Sequence, residues 1–111
     1  MASEPTNAPS VGVPDATDSV LAQIRNSYAK ARAKHAPMHS AHEGYAVLLE
    51  EVDELWDEVK RWQPKSAMPA IFADAAYAQQ AAALRKEALH VAAMALAFIL
   101  EVCDGDTPNG Q

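Results

Sequence analysis

The stretch SAHEGYAVLLEEVDELWDEVKRW, residues 40–62, decides the fold class of this chain. Its apolar residues recur every three or four positions, and at about 100° per residue they fall on one side of a helix. These residues are Tyr45, Leu48, Leu49, Val52, Leu55, Trp56 and Val59. Ser40 and Glu43 have the capping-box spacing of a helix start, and Pro64 stops the helix. The stretch therefore predicts one long amphipathic helix, with Trp56 in the core.

A shorter helix is predicted before this one. Its apolar residues follow a single stripe with spacings of three and four residues, which is the helical period. They are Val20, Leu21, Ile24, Tyr28 and Ala31. Thr17 and Asp18 are both suitable N-caps, so we expect the helix to begin near one of them and to end before Pro37.

A third helix is predicted over at least residues 79–103, with a start as early as Ile71 or Asp74. From Ala88 onward, apolar residues lie on nearly every side, and such a helix must be buried on several sides. Three helices offer too little cover, so we expect subunit association to supply the rest. The connection before this helix contains two prolines and is expected to be a loop or a short helical turn.

The predicted fold class is all-α: an antiparallel bundle of three main helices per chain, completed by oligomerisation. At 111 residues the chain has room for one compact domain. We expect a disordered N-terminal tail over residues 1–16, the helical domain over residues 17–104 and a polar C-terminal tail over residues 105–111. Half of the residues are hydrophobic, but only 6% are aromatic. Alanine dominates the apolar content, which favours closely packed helices.

The composition also limits the possible partners. A formal net charge of −6 argues against binding to nucleic acid or to an anionic membrane by bulk attraction. It leaves room for a small polyanion held through metal ions. Cys103 is the only cysteine, so an intrachain disulfide is impossible, and a reducing cytoplasm is the natural location. We expect neither a signal peptide nor a membrane span.

Two acidic patterns on different predicted helices carry the chemistry. The first is E-E-x-x-E, formed by Glu50, Glu51 and Glu54, and the second is Glu87 followed three positions later by His90. Side chains three apart share a helix face. If the two faces pack together, the carboxylates converge, which is costly unless a divalent cation holds them. The patterns predict a metal site. The alternatives are a solvated acidic face, an ion-paired Glu87 and a buried neutral His90.

The run of residues 42–59, followed by residues 85–95, resembles the short type of the MazG-like, all-α nucleotide pyrophosphohydrolases. The resemblance covers roughly residues 20–104. In that family the second and last glutamates of E-E-x-x-E bind Mg²⁺ together with both acids of an E-x-x-D pattern. The matching positions in this sequence are Glu51, Glu54, Glu87 and His90.

The resemblance implies a homodimer or homotetramer that hydrolyses a nucleoside or deoxynucleoside triphosphate to the monophosphate and pyrophosphate. Mg²⁺ would be the cofactor, with Mn²⁺ possible, and Glu50 would orient the attacking water or act as its base. Four basic residues are candidates for phosphate contacts, although charges near helix ends more often only solvate the surface. They are Lys60, Arg61, Arg85 and Lys86.

The sequence departs from the family pattern in two places. The segment between Glu54 and Glu87 is longer, with an insertion around residues 66–82. His90 stands where aspartate is expected, and imidazole suits transition metals better than Mg²⁺. Two other readings therefore stay open: a weak or inactive member acting as a nucleotide-binding or protein-interaction module, and a purely structural bundle.

Overall fold

The computed structural model describes residues 15–105, and these form helices without any strand. The main elements are α1 (Ala16–Lys34), α2 (Ala41–Arg61) and α3 (Ala73–Phe98). Two 3₁₀ turns, Lys65–Ala67 and Ala70–Phe72, connect α2 to α3, and α3 continues into a π-helical turn, Ile99–Cys103. The all-α prediction is confirmed. Nearly all of the two predicted tails, 1–16 and 105–111, lies outside the described residues.

The start of α1 differs from the prediction. The helix begins at Ala16 because the Asp15 carboxylate caps it, accepting a hydrogen bond of 2.8 Å from the Asp18 backbone N–H. Thr17 therefore lies inside the first turn. The predicted cap at Thr17 or Asp18 is wrong because Asp15, one turn earlier than Asp18, has the same capping chemistry.

The start of α2 follows the capping-box prediction with one change. The Ser40 hydroxyl accepts a hydrogen bond of 3.1 Å from the Glu43 backbone N–H, as expected. The Glu43 carboxylate accepts one of 2.6 Å from His39 rather than from Ser40. The cap therefore also ties down the residue before it, and fixes the direction in which the chain enters α2.

Helices α1 and α2 both pack on α3, which lies at the centre of the domain. The side chain of Gln80 on α3 makes hydrogen bonds with both backbone groups of Gln63, just after α2, so α2 and α3 are antiparallel. On α1, Gln23 accepts a hydrogen bond from Arg85, and Arg32 reaches Glu101. Successive helices therefore run in opposite directions, as predicted. Within residues 15–105, α1 and α2 make few contacts with each other.

The hydrophobic core of the single chain is small. Its buried hydrophobic residues are Met38, Ala73, Ala93 and Ala97, and no large side chain among residues 15–105 is fully buried. Trp56, expected in the core, is 55% exposed. That prediction is wrong for the isolated chain because the apolar side of α2 is wider than the surface that α3 covers. A domain of this size with so few buried side chains is marginal alone.

Gly44 permits the close packing of α2 on α3. A Cβ atom at this position would lie 2.7 Å from Cδ2 of Phe98 and 3.1 Å from the Met38 sulfur. Real Cβ atoms do not approach other atoms that closely, so only glycine fits here. The packing that holds the first turn of α2 against the end of α3 depends on this absent side chain.

Glu101 links α1 and the connection after it to the end of α3. It is only 3% exposed. Its carboxylate accepts hydrogen bonds from Tyr28 Oη at 2.9 Å, Arg32 Nη1 at 2.8 Å and the Met38 backbone N–H at 2.9 Å. Burial, followed by the bond to Glu101, raises the pKa of Tyr28, so its hydroxyl stays protonated and donates. Three donors satisfy a charge that would otherwise be costly to bury.

No helix within residues 15–105 has both the length and the apolar character needed to cross a membrane.

Candidate metal centre

The structure brings together the four residues predicted as metal ligands. Glu51 and Glu54 lie one turn apart on α2, and Glu87 and His90 lie one turn apart on α3. One ligand atom from each residue lies within 4.8 Å of all the others. The cluster forms because each pair shares a helix face and the antiparallel packing places the two pairs level with each other.

His90 lies between the two least exposed carboxylates. Its Nδ1 is 3.5 Å from Glu87 Oε1 and 3.7 Å from Glu51 Oε1. Both Oε1 atoms are buried, and neither has a hydrogen-bond partner among residues 15–105. Leaving a buried carboxylate oxygen without a partner costs free energy. A cation between these oxygens would remove that cost, and this is the feature that separates the cluster from an ordinary acidic surface.

The electrostatics of the cluster also favour a bound cation. Burial raises the pKa of Glu51, and the neighbouring Glu54 carboxylate raises it further. Glu87 and Glu50 add smaller effects in the same direction, whereas His90 opposes them. These carboxylates therefore repel one another in the metal-free protein. A divalent cation would reverse the repulsion and favour the ionised form of every ligand.

The donor set fits a divalent cation. Three carboxylates supply the hard oxygen ligands that Mg²⁺ prefers. The imidazole of His90 shifts the preference toward Mn²⁺ or another first-row transition metal, which accept nitrogen ligands more readily. The His90 side chain is 38% exposed, more than those of Glu51 and Glu87. The cluster is thus open to an ion or a ligand from the solvent.

A cavity of about 580 Å³ adjoins the cluster between α1 and α2. Glu50, Glu51 and His90 are among the residues that line it. Apolar residues of all three helices line it too, among them Ala31, Val47 and Met94, together with basic residues of α1. This volume falls within the range of small-molecule sites, which are about 300–1,000 Å³. The cavity can therefore hold the organic part of a ligand whose charged part binds at the cluster.

The predicted phosphate-binding residues separate into two groups. Arg85 and Lys86 line a second, shallower cavity, which shares His90 and Lys30 with the first. Lys60 and Arg61 line neither cavity. They lie in the last turn of α2, where they form ion pairs of 3.2 Å and 3.1 Å with acidic residues of their own helix. Only the first group is placed to meet a ligand at the cluster.

Sequence reasoning missed the contribution of α1 to this region. Lys30 lines both cavities beside His90, and Tyr28 and Arg32 line the larger one. The apolar stripe of α1 includes Tyr28, but it gave no reason to place α1 near the acidic patterns. The four-residue spacing of Tyr28 and Arg32, which puts both on one face, was the available signal.

No protein-family model matches the chain, and no curated protein or solved structure matches it significantly.

Proposed function

We propose that this protein is a metal-dependent nucleoside or deoxynucleoside triphosphate pyrophosphohydrolase of the MazG-like type. One observation carries the proposal. Glu51, Glu54, Glu87 and His90 converge within 4.8 Å, with two buried, unpartnered carboxylate oxygens among them, beside a cavity of about 580 Å³. A triphosphate bound through metal at the cluster would bring its nucleoside to the cavity, whose volume is in the range of small-molecule sites.

The four cluster residues would hold Mg²⁺ or Mn²⁺, which neutralises phosphate charge and makes a bound water acidic enough to attack at neutral pH. Glu50 is exposed and lines the cavity beside Glu51. Its carboxylate would accept a proton from the water that attacks the α-phosphorus, while pyrophosphate leaves. Lys30 and Lys86 line the second cavity together with His90 and would supply positive charge for the terminal phosphates.

We further propose that the enzyme acts in the cytoplasm as a homodimer or homotetramer. The small core of the single chain supports association, because no large side chain among residues 15–105 is fully buried. The single cysteine, Cys103, is an exposed free thiol, which suits a reducing compartment.

A second candidate is a nucleotide-binding module of the same fold without catalytic activity. His90 favours it, because an imidazole at this corner replaces a hard oxygen ligand and weakens the site for Mg²⁺. Such a module would still bind a metal–nucleotide complex in the same cavity. The two candidates differ only in whether pyrophosphate is released.

One experiment separates them. Purified protein is incubated with the common ribo- and deoxynucleoside triphosphates, with Mg²⁺ or Mn²⁺, and pyrophosphate release is measured beside Glu54→Gln. The hydrolase predicts release with at least one nucleotide and a large loss in the variant. Asp57→Asn serves as the matched control, because Asp57 lies on α2 one turn beyond the cluster and forms an ion pair with Lys60. If no nucleotide releases pyrophosphate but one binds, the module is the better description.

A further inference from the structure

The cavity of about 580 Å³ extends along α3 from the acidic cluster to Glu101. His90 and Glu101 both line it, and they lie 11 positions apart in the chain. At 1.5 Å per residue this separation is about 16 Å along a helix. Met94 and Ala97 lie between them and also line the cavity. The cavity therefore has polar residues at both ends of an apolar stretch, and a ligand held at the cluster extends toward Glu101.

Arg32 is held in place at the Glu101 end of the cavity. Its Nη1 donates hydrogen bonds of 2.8 Å to Glu101 Oε2 and of 2.7 Å to Tyr28 Oη. Its Cζ also lies 5.8 Å from the centre of the Tyr28 ring. Because a guanidinium is planar and rigid, fixing one nitrogen also limits the directions of the other N–H groups. The Arg32 side chain is 42% exposed, so a ligand in the cavity can still reach it.

The hydrogen bonds at this end leave N–H donors for a ligand. Glu101 accepts from Met38, Tyr28 and Arg32, and only 2% of its side chain is exposed. The Tyr28 hydroxyl donates to Glu101 and accepts from Arg32. Among residues 15–105, the hydrogen bonds of the Arg32 side chain all start from Nη1. Its Nε–H and Nη2–H groups are therefore the donors that a ligand can use.

The other charged side chains near Arg32 do not change this balance. Glu43 also lines the cavity, but its carboxylate accepts a hydrogen bond of 2.6 Å from the His39 backbone N–H and lies 3.5 Å from His39 Nδ1. Lys34 lines the cavity as well, and an ammonium is another donor without acceptor capacity. The ligand atoms that meet this end must therefore be acceptors.

Nucleobases differ in what they present to such donors. A purine with a carbonyl group at position 6 offers two adjacent acceptors, O6 and N7, which a guanidinium can bind in a bidentate manner. Adenine has an amino group at position 6, which is a donor. We propose that Arg32 binds the base of the nucleotide and selects 6-oxopurines, such as guanine, over adenine. This inference rests on the proposed function, to which it adds a preference for one class of base.

Binding of nucleoside monophosphates to the wild-type protein is the first test. Inosine monophosphate and adenosine monophosphate are titrated with Mn²⁺ present by calorimetry, because their bases differ in having a carbonyl or an amino group at position 6. We expect inosine monophosphate to bind about tenfold more tightly, which is within the range for a bidentate arginine contact. Equal affinities, or tighter binding of adenosine monophosphate, would overturn the proposal.

A base analogue tests the bidentate contact without changing the protein. The 7-deaza form of guanosine monophosphate has a carbon in place of N7 and keeps O6. We expect it to bind about fivefold more weakly than guanosine monophosphate, because one of the two acceptors is lost. Equal binding of the two compounds would show that the guanidinium does not bind the O6 and N7 edge.

Arg32→Gln tests whether Arg32 is the residue that selects the base. A glutamine side chain has both a donor and an acceptor and pairs with N6 and N7 of adenine, so the preference for inosine monophosphate should fall about tenfold. An unfolded fraction weakens the apparent binding of both nucleotides by the same factor, so their affinity ratio still reports selection. Lys34→Gln is the matched control, since it removes another positive charge from the cavity and should leave the ratio unchanged.

The outcomes also separate this inference from the proposed function. Equal weakening of both nucleotides in Arg32→Gln would place a phosphate group at Arg32 and refute base selection. Nucleotide binding and pyrophosphate release without a preference at position 6 would refute the role of Arg32 and leave the hydrolase intact. A preference for inosine monophosphate without pyrophosphate release from any triphosphate would support Arg32 in a binding module. If no nucleotide binds, both the inference and the proposed function fail.

Discussion

Gly44 on α2 lies so close to Phe98 on α3 that a Cβ atom would come within 2.7 Å of the ring. Replacing glycine by alanine inside an exposed helix normally stabilises it by about 1 kcal/mol. Here we expect Gly44→Ala to lower the free energy of unfolding by about 1–3 kcal/mol, because the helices must separate or the ring must move. Urea unfolding followed by circular dichroism measures the change.

Phe98→Ala provides the control for this prediction. Alanine lacks the δ and ε carbons that the new methyl group would meet, so Gly44→Ala should cost less in that background than in the wild type. A more stable Gly44→Ala protein would show that α2 can move away from α3 at little cost.

The second prediction concerns the contribution of the Glu101 carboxylate to the stability of the fold. It is 3% exposed and accepts three hydrogen bonds from α1 and from Met38. Glu101→Gln keeps the shape but removes the charge and turns one acceptor into a donor, so a buried donor faces another donor. We expect a loss of about 1–3 kcal/mol in the free energy of unfolding. The exposed Asp104→Asn is the control, and an equal loss in both variants would contradict the account.

The raised pKa of Glu51 gives a prediction about pH. Because burial and Glu54 raise this pKa, folding favours the protonated form. The associated stability is complete below the ordinary pKa of a glutamate and is lost as pH rises through the raised folded value. Without metal, Glu51→Gln should therefore unfold at a higher temperature than the wild type when the pH is above the raised pKa of Glu51. Below the ordinary pKa of a glutamate, the two proteins should unfold at nearly the same temperature. Thermal unfolding in the presence of a chelator measures this.

Bound metal should reverse the order of the unfolding temperatures of the wild type and Glu51→Gln. Excess Mn²⁺ stabilises a folded protein that binds it, and Glu51→Gln removes one of the ligands. The wild type should then unfold at the higher temperature. Asp53→Asn, an exposed carboxylate on the same helix outside the cluster, should show neither effect. A Glu51→Gln protein that is less stable without metal at every pH would contradict the repulsion described for the cluster.

The next prediction concerns the effect of His90 on the choice of metal at the cluster. An imidazole favours Mn²⁺ over Mg²⁺ relative to a carboxylate in the same place. We expect His90→Asp to shift the Mg²⁺/Mn²⁺ affinity ratio toward Mg²⁺ by about tenfold, the lower end of changes seen when a site's supporting groups are altered. Displacement of bound Mn²⁺ by Mg²⁺, followed by electron paramagnetic resonance, measures the ratio. The exposed His42→Asp should leave it unchanged.

Ala31 tests whether the cavity holds the nucleoside. It lines the cavity on α1, far from the acidic side chains of α2 and α3 in sequence. We expect Ala31→Phe to raise KM for the nucleotide about tenfold, a loss of about 1.4 kcal/mol of binding, with Mn²⁺ affinity unchanged. Ala29→Phe is the control, because Ala29 is exposed on the same helix. Unchanged kinetics in Ala31→Phe would exclude the cavity as the substrate site.

The sequence was enough to predict the features of the structure that depend on residues close together in the chain. The α2 bounds follow from the Ser40 cap and from the apolar period, and both act within a few residues. The cluster was predicted because pairs three residues apart share a face, and the family resemblance placed the two faces together. The start of α1 was mispredicted because Asp15, Thr17 and Asp18 are all locally competent caps.

The rest depends on contacts between distant residues. The role of Glu101 requires Tyr28, which lies 73 positions earlier in the chain, and no local pattern joins them. Trp56 belongs to the apolar side of α2, but periodicity cannot divide that side between the surface that meets α3 and the surface left open. The position of α1 against the cavity was undetermined for the same reason.

The packing of α1 on α3 alone has a consequence for the order of folding. Helices α2 and α3 are neighbours in sequence and can pair after closing a short connection, whereas α1 must reach residues more than 60 positions away. Closing the larger loop costs more entropy and is slower. We expect the α2–α3 hairpin, with its acidic cluster, to form first and α1 to dock last. Amide protons of α1 should then exchange before those of α3, so the domain would open from the side of its cavity.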